Sequence, residues 1–181
     1  MSKPGTCITI GNFDGVHLGH QFLIYKTIDV AKTKNLESLV LTFDPHPQSF
    51  LNPSHQPLIL TSINRKLDLI KNLGVDEVEI LEFNQAIANL DAVDFVKQIL
   101  IQKYSLKHLV IGHDFAFGKN RSGNYKLLLK LSKQLDFAVT KLPKFEINGV
   151  KPSSHLIREL LQKGKVDRAC QLLGRSVEIE S

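Results

Sequence analysis

Short runs of apolar residues alternate with longer amphipathic stretches along most of the chain. The short runs are rich in β-branched residues, which is typical of buried strands, and they lie at 6–10, 36–43, 75–81, 108–111 and 137–142. The amphipathic stretches predict helices from about 19 onward and at 62–72, 86–102, 124–134, 153–162 and 166–173, with Asp91 expected as a cap before Val93 within the third of them. Because strands alternate with helices, the pattern predicts an α/β fold with a doubly wound, five-stranded parallel sheet.

Three loops of unusual composition each follow a predicted strand, at 11–20, 44–57 and 112–124. The carboxyl ends of parallel strands share one edge of the sheet, and ligands bind beyond that edge near the switch in strand order. The sequence therefore predicts a ligand site formed by these loops. A further turn signal, Asn148-Gly149, predicts a small hairpin insert at 144–150.

The first loop reads Gly-Asn-Phe-Asp-Gly-Val-His-Leu-Gly-His from Gly11 to His20. Its three glycines allow a sharp bend and a close approach of a ligand. A helix that begins here presents unpaired N–H groups and a partial positive charge, which suits a phosphate. His17 and His20 lie three residues apart, so both can face the same anion. A His-x-Gly-His segment by itself would fit capping or surface residues equally well.

Composition and charge narrow the possible partners of the chain. Its 181 residues suffice for one α/β domain with a sizeable core. Lys plus Arg exceed Asp plus Glu by 23 to 18, and a formal charge of +5 favours anionic ligands such as nucleotides. Nonspecific nucleic-acid contact would fit the same charge, but no dense Lys/Arg cluster is present, so no nucleic-acid partner is expected.

Targeting signals and cysteine usage point to the cytoplasm. No apolar run approaches the roughly 20 residues of a membrane span, and the start Met-Ser-Lys-Pro-Gly lacks an apolar signal region. Cys7 and Cys170 stand alone, without a metal-ligand spacing or a disulfide framework, which fits a reducing compartment. We therefore expect a cytoplasmic protein without a membrane partner.

The complete run at 11–20 resembles the nucleotide-binding turn of the nucleotidylyltransferase superfamily. In detail it is similar to the FAD synthetase (FMN adenylyltransferase) module of bacterial bifunctional riboflavin kinase/FAD synthetases. The resemblance extends from Thr6 to about Arg175 through four motifs in the order of the family. It implies a Rossmann-like sheet of the HxGH type, transfer of adenylate from ATP to FMN, and a Mg²⁺ ion that accompanies ATP with few protein contacts. No side chains are predicted as metal ligands.

Two further motifs resemble the flavin side of the family's site. The turn Asp44-Pro45-His46-Pro47 is stiff, and the resemblance implies that it shapes the flavin pocket. The third motif runs from Gly112 to Gly118 and continues at Gly123-Asn124. Its Phe115 and Phe117 could stack on a planar ring or plug the open end of the sheet. The resemblance implies that Asp114 lies near the ATP ribose, and that Phe117 and Asn124, with Phe115, line the FMN end.

The fourth motif begins at Ser153-Ser154 and includes Arg158, and together these residues could clamp a phosphate at a helix start. His155 stands where the superfamily has a threonine, so one hydroxyl donor is lost and a bulkier ring enters. Of the residues implied in ATP binding, three are expected to be catalytic, namely His17, His20 and Arg158. The full expected set is Gly11, Asn12, Phe13, His17, Gly19, His20, Asp114, Ser153, Ser154 and Arg158.

Two alternatives remain open at the level of the sequence. One is a nucleotidylyltransferase with another acceptor, such as a nicotinamide, pantetheine or polyol phosphate. The other is a nucleotide- or flavin-binding module with weak catalysis, which the substitution at His155 would favour. The kinase motif of the bifunctional family is absent, and only six residues follow Leu172-Leu173-Gly174-Arg175. We therefore expect residues 1–181 to form one adenylyltransferase domain without a riboflavin kinase domain.

Overall fold

Five parallel strands form the centre of the molecule in the computed structural model, which describes residues 5–178. They are β1 (Thr6–Ile10), β2 (Glu37–Asp44), β3 (Glu77–Glu82), β4 (Leu106–Ile111) and β5 (Ala138–Lys141). The strands pair in the order β3-β2-β1-β4-β5, and every pair is parallel. The predicted five-stranded, doubly wound sheet is thus confirmed. The chain reverses its winding between β1 and β4, which opens a crevice beyond the carboxyl ends of these two strands.

Eight helical segments connect and follow the strands in the described part of the chain. They are α1 (Leu18–Lys34), α2 (Pro47–Leu51), α3 (Ile63–Lys71), α4 (Gln85–Asn89), α5 (Ala92–Asp94, continued as the π-helix Phe95–Lys103), α6 (Tyr125–Leu135), α7 (Ser154–Gln162) and α8 (Val166–Leu173). A short 3₁₀ turn, Lys119–Arg121, interrupts the loop after β4. Every helix in residues 5–178 falls short of the length or the apolarity that a membrane crossing requires.

Three sequence predictions differ from the structure in detail. The helical stretch predicted at 86–102 is interrupted at Leu90, which is extended, but the expected cap at Asp91 is confirmed, since its side chain accepts from the N–H of Asp94 at 2.8 Å where the second helix begins. The stretch predicted as loop at 44–57 contains α2, because Pro47 suits a first helical position. The predicted hairpin at 144–150 is reduced to one bridge, between Ile147 and Val150.

The central strands are buried on both faces, so their residues alternate between two apolar clusters. Leu39 and Leu41 of β2 face α5 and α6, whereas Val40 between them faces α1 and α3. Each such fully buried aliphatic side chain contributes roughly 1.5–3 kcal/mol to the stability of the fold. Helices α7 and α8 pack against each other in a separate cluster that includes Ile157 and Leu172. This arrangement carries the start of α7 to the crevice at the end of β1.

Candidate active site

The loop between β1 and α1 follows an unusual backbone path. Phe13 and Val16 have φ values of 49° and 42°, a left-handed region that bulky and β-branched residues seldom adopt. Their side chains are nearly fully buried against Ile24 and Ile70, and this packing offsets the backbone cost. Gly15 also has a positive φ, of 86°. The loop is therefore folded into one specific shape by the core beneath it.

The two histidines of this loop lie face to face. Nδ1 of His17 caps α1 by accepting a hydrogen bond from the N–H of His20 at 3.2 Å. The two rings stack with centroids 3.5 Å apart and an interplanar angle of 17°. The ring of Phe13 meets His20 edge-on at 5.2 Å. Because Nδ1 of His17 accepts, its neutral ring carries the proton on Nε2, which remains available as a donor.

Both histidines are neutral near pH 7. Burial lowers the pKa of His17 to about 4 despite the opposing charge of Asp14. Burial likewise holds the pKa of His20 well below its usual range, and neighbouring His17 and Lys66 act in the same direction. The pair therefore offers N–H donors rather than positive charge. An anion that binds beside these rings would raise both pKa values, because it favours the protonated forms.

A buried ion pair fastens the loop to α7. Nη2 of Arg158 lies 2.6 Å from Oδ2 of Asp14, and the two side chains are 13% and 3% exposed. The same carboxylate accepts hydrogen bonds from the backbone N–H groups of Leu60 and Thr61 at 3.0–3.1 Å. Nε of Arg158 donates to the carbonyl of Leu58 at 2.7 Å. The guanidinium thus joins three segments that are distant in sequence.

The start of α7 supplies a second helix N-terminus. Ser153 is its cap, since the hydroxyl accepts from the N–H of Leu156 at 3.1 Å. The hydroxyl of Ser154 donates to the carbonyl of Asp14 at 2.7 Å and so holds α7 against the first loop. His155 follows with an exposed side chain. The predicted capping by Ser153 or Ser154 is confirmed for Ser153.

The loop after β4 contributes an acidic residue that is paired. Oδ2 of Asp114 lies 2.6 Å from Nζ of Lys151, and Oδ1 lies 3.7 Å from Nδ1 of His113. Partial burial acts to raise the pKa of Asp114, but the hydrogen bond and charge of Lys151 outweigh it and leave the pKa below its usual range. The carboxylate is therefore ionised near neutral pH and can accept hydrogen bonds from hydroxyl groups.

These groups surround a cavity of about 280 Å³ in the crevice between β1 and β4. Six of the residues predicted to bind ATP line it, namely His17, Gly19, His20, Asp114, Ser153 and Ser154. The other predicted members, Gly11, Asn12, Phe13 and Arg158, are not among the lining residues, although Phe13 contacts His20 and Arg158 binds Asp14. At Gly19 a β-carbon would approach the His17 ring to 3.0 Å, so a glycine keeps this wall open.

The residues predicted to bind flavin lie outside that cavity lining. The turn Asp44-Pro45-His46-Pro47 contains a cis peptide bond before Pro45, and Nδ1 of His46 caps α2 through the N–H of Gln48 at 3.2 Å. Burial lowers the pKa of His46, and Asp14 opposes the shift. The turn follows β2, the direct neighbour of β1, so it borders the first loop as expected from the sheet order.

The two phenylalanines after β4 face each other and the core. The rings of Phe115 and Phe117 stack with centroids 5.4 Å apart, and Phe117 also contacts Phe95 at 5.9 Å. The ring of Phe117 covers Gly123, where a β-carbon would come within 2.5 Å of it. Asn124 caps α6 by accepting from the N–H of Leu127 at 3.0 Å. These contacts give Phe117 and Asn124 structural roles in addition to the predicted role toward flavin, which stays a prediction.

Several residues of the site were not predicted from the sequence. Phe22 and Phe145 stack at 4.8 Å and line one wall of the cavity, and Lys151 lines another. Nothing in their sequence neighbourhoods indicates this. Lys66 is buried below the first loop. It lies three residues after Ile63 and four before Ile70, on the apolar face of the helix, and this spacing could have indicated a buried lysine.

The arrangement suits a polyphosphate ligand. Two neutral imidazoles, the N-termini of α1 and α7, and the ammonium of Lys151 all border one cavity, and each provides N–H donors. The adjoining wall of Phe22, Phe145 and Leu142 is apolar and suits a flat ring. Within residues 5–178, no three His, Cys, Asp or Glu side chains cluster as a metal site.

Comparison with known proteins gives consistent matches. The sequence model of the FAD synthetase family matches residues 1–156. The bifunctional riboflavin kinase/FMN adenylyltransferase of Buchnera aphidicola from Schizaphis graminum is 38% identical over 178 residues, which cover 98% of this chain and 57% of the relative. The enzyme of the same name from Escherichia coli K12 is 34% identical over 177 residues, covering 98% of this chain and 56% of that protein.

A solved structure matches as well. The crystal structure of a protein described as a macrolide-efflux protein from Streptococcus pneumoniae has a TM-score of 0.84 at 29% identity, and the match covers 98% of this chain and 59% of that one. This chain therefore spans somewhat more than half the length of the curated relatives it matches.

Proposed function

The chain belongs to the FAD synthetase family, and from this premise we propose that it transfers adenylate from ATP to FMN, giving FAD and pyrophosphate. The observation that carries the proposal is the pair of stacked, neutral histidines at the start of α1, which face a cavity shared with the start of α7. Two helix N-termini around one cavity fit a triphosphate. The curated relatives carry the name FMN adenylyltransferase, which supports FMN as the acceptor.

The proposed reaction is a substitution at the α-phosphorus of ATP. A phosphate oxygen of FMN forms the new P–O bond, the bond from the α-phosphorus to the bridging oxygen breaks, and pyrophosphate leaves with the electron pair. The FMN phosphate is already an anion near neutral pH, so the reaction does not require a protein base. Catalysis then consists of alignment and of stabilising the charge that develops on the phosphate oxygens.

Each chain segment has a defined task in this proposal. His17 and His20 donate N–H groups to the α-phosphate, and Ser153 and Ser154 with the N-terminus of α7 receive the β- and γ-phosphates. Asp114 accepts hydrogen bonds from the ribose hydroxyls. Mg²⁺ enters with ATP as part of the substrate and neutralises charge on its phosphates. Arg158 contributes by holding Asp14, and a direct contact with the triphosphate remains a prediction.

The flavin end of the site is proposed at the neighbouring strand ends. The Asp44–Pro47 turn borders the first loop, and Phe115 and Phe117 provide aromatic surface beyond β4. Both features favour flavin over nicotinamide, pantetheine or polyol phosphates as the acceptor. The exposed position of His155, outside the cavity lining, gives no support to a module that has lost catalysis. A cytoplasmic location stays a prediction that rests on the two free cysteines.

One incubation tests the proposal. The purified chain is mixed with ATP, Mg²⁺ and FMN, and the products are separated by chromatography; FAD and pyrophosphate are expected in equal amounts. Parallel reactions replace FMN by nicotinamide mononucleotide or phosphopantetheine, and a reaction with the His17→Ala/His20→Ala variant is the control for contaminating enzyme. Absence of FAD from the wild-type reaction, or its undiminished formation by the double variant, would refute the proposal.

A further inference from the structure

A lysine is buried at the carboxyl edge of the sheet, and its hydrogen-bond partners within residues 5–178 are backbone carbonyls. Lys66 lies on the inner face of α3 and is 7% exposed. Its Nζ donates to the carbonyl of Asn12 at 2.9 Å and to the carbonyl of Phe43 at 3.4 Å. Asn12 belongs to the loop after β1, and Phe43 is the penultimate residue of β2. One ammonium group therefore contacts both neighbouring strand ends.

Burial of this charge is costly and needs compensation. Removal from water acts to lower the pKa of Lys66, whereas the carboxylates of Asp14 and Asp44 act to raise it. The net direction is downward, but two carbonyl acceptors and two nearby carboxylates keep the cation in place. Buried polar groups of this kind are stable only when they are hydrogen-bonded. The lysine consequently depends on the geometry of the loops that it contacts, and the loops depend on it.

Other contacts at the start of α3 act on the same loop. The hydroxyl of Thr61 accepts from the N–H of Gly15 at 3.1 Å, and the N–H of Thr61 donates to Asp14 at 3.1 Å. The hydroxyl of Thr42 shares the carbonyl of Asn12 with Lys66, at 3.1 Å. The segment 60–66 therefore forms a platform below the loop that carries the stacked histidines. Lys66 extends from this platform to β2 as well, through the carbonyl of Phe43.

We infer that Lys66 is a positioning residue, which holds the loop after β1 and the turn after β2 at a fixed separation and orientation. In the proposed reaction, on which the kinetic part of this inference rests, the first loop carries the donors to the α-phosphate and the second turn borders the acceptor. Lys66 then sets the distance between the two reactants without touching either. A displacement of about 1 Å at such a site costs on the order of a hundredfold in rate.

The positive charge of Lys66 has a second effect on the same region. The titratable groups that face it are His20 on α1, His46 after β2, and the carboxylates of Asp14 and Asp44. Its charge disfavours protonation of both imidazoles, so it helps to keep His20 and His46 neutral. Replacement by a neutral side chain of similar length removes this influence and the ammonium donor to both carbonyls, of which the Asn12 carbonyl keeps the bond from the Thr42 hydroxyl.

The first experiment does not depend on activity. Lys66→Met keeps the side-chain length and removes the charge, Lys66→Arg keeps the charge, and Lys71→Met changes an exposed lysine on the same helix as a matched control. Amide hydrogen exchange is expected to accelerate at 11–17 and 43–47 in Lys66→Met alone. In a histidine NMR titration, the His20 and His46 resonances are expected to titrate at higher pH in Lys66→Met and at unchanged pH in Lys66→Arg.

The second experiment measures kinetics with ATP and FMN in the same variants. Lys66→Met is expected to lower kcat by about tenfold to a hundredfold with a smaller change in either KM, and Lys66→Arg to recover most of the loss. If Lys66→Met does not fold, Lys66→Gln, which is neutral and shorter but retains an amide NH₂ group, is measured instead against the same expectations. Unchanged exchange, titration and kcat in the folded neutral variant would overturn the inference.

The outcomes separate this inference from the proposed function. If the wild-type chain makes no FAD but the exchange and titration changes occur, the positioning role stands and the proposed function fails. If FAD is made at the same rate by wild type and Lys66→Met, the proposed function stands and the positioning role fails. A larger effect on the KM for one substrate than on kcat would also overturn it, because that pattern indicates a direct binding contact.

Discussion

Loss of the buried ion pair between Asp14 and Arg158 is expected to destabilise the fold strongly. The side chain of Asp14 is only 3% exposed, and its carboxylate lies 2.6 Å from the guanidinium of Arg158. Arg158→Ala removes that partner while the carboxylate stays buried. Removing one partner of a buried pair typically costs about 3–5 kcal/mol. Asp14 keeps its hydrogen bonds from Leu60 and Thr61, which reduce the penalty. We therefore expect a loss of about 3 kcal/mol in the free energy of unfolding.

Urea unfolding followed by circular dichroism measures this loss. Asp14→Asn and the double variant complete a mutant cycle, and a coupling of about 2 kcal/mol between the two residues is expected. Arg168→Ala, at an exposed arginine on α8, is the matched control and should change stability by less than about 0.5 kcal/mol. A free energy of unfolding for Arg158→Ala within about 1 kcal/mol of wild type would contradict this prediction, because the guanidinium would then contribute little to the fold.

Four further outcomes are expected. The free energy of unfolding should fall by about 3 kcal/mol as the pH drops from 6.5 to about 4, because the pKa of His17 is lowered to about 4 in the folded protein and the unfolded chain therefore binds the proton first. In His17→Gln, the urea midpoint should depend less on pH. His17→Ala and His20→Ala should each reduce turnover by about 2–4 kcal/mol of transition-state stabilisation while FMN affinity changes little; steady-state kinetics with calorimetry checks this, and near-native turnover would contradict it. Phe117→Ala should weaken FMN binding by about 1–2 kcal/mol and leave ATP binding nearly unchanged in calorimetry, whereas equal losses would indicate a collapsed loop. His155→Thr should preserve or raise FAD formation, because the exposed ring lies outside the cavity lining, and a large drop would assign the imidazole its own role.

Much of the fold follows from local sequence patterns. The spacing of apolar residues, every second residue in strands and every three to four in helices, indicates which residues face the core. Strand β1 (Thr6–Ile10) and helix α8 (Val166–Leu173) begin and end where this spacing predicts. Parallel crossovers then bring the loops after β1, β2 and β4 to one edge, because these strands are neighbours in the sheet. The location of the candidate site could therefore be predicted from the order of the elements and the residues of one ten-residue loop.

Local patterns also account for the smaller errors. The sequence predicts the cap at Asp91 but not the break at Leu90 before it, because the apolar spacing continues across that residue. Helix α2 depends on a cap at His46, which is a weak signal in a proline-rich turn. The hairpin signal at Asn148-Gly149 correctly gives a turn, but the flanking residues pair only once. Short elements bury few side chains, so their limits depend on individual hydrogen bonds.

Only the tertiary structure decides which side chains become partners. Arg158 reaches Asp14 across 144 positions, and Ser154 reaches the same residue across 140. The sequence predicted that two serines cap a helix that carries an arginine, but it did not indicate that this arginine is bound to a buried carboxylate. Lys66, in an apolar stripe, and Val16, at a positive φ, are likewise determined by packing between distant segments. The physical reason is that hydrogen bonds and burial depend on distances in space, and these distances cannot be read from the separation of two residues along the chain.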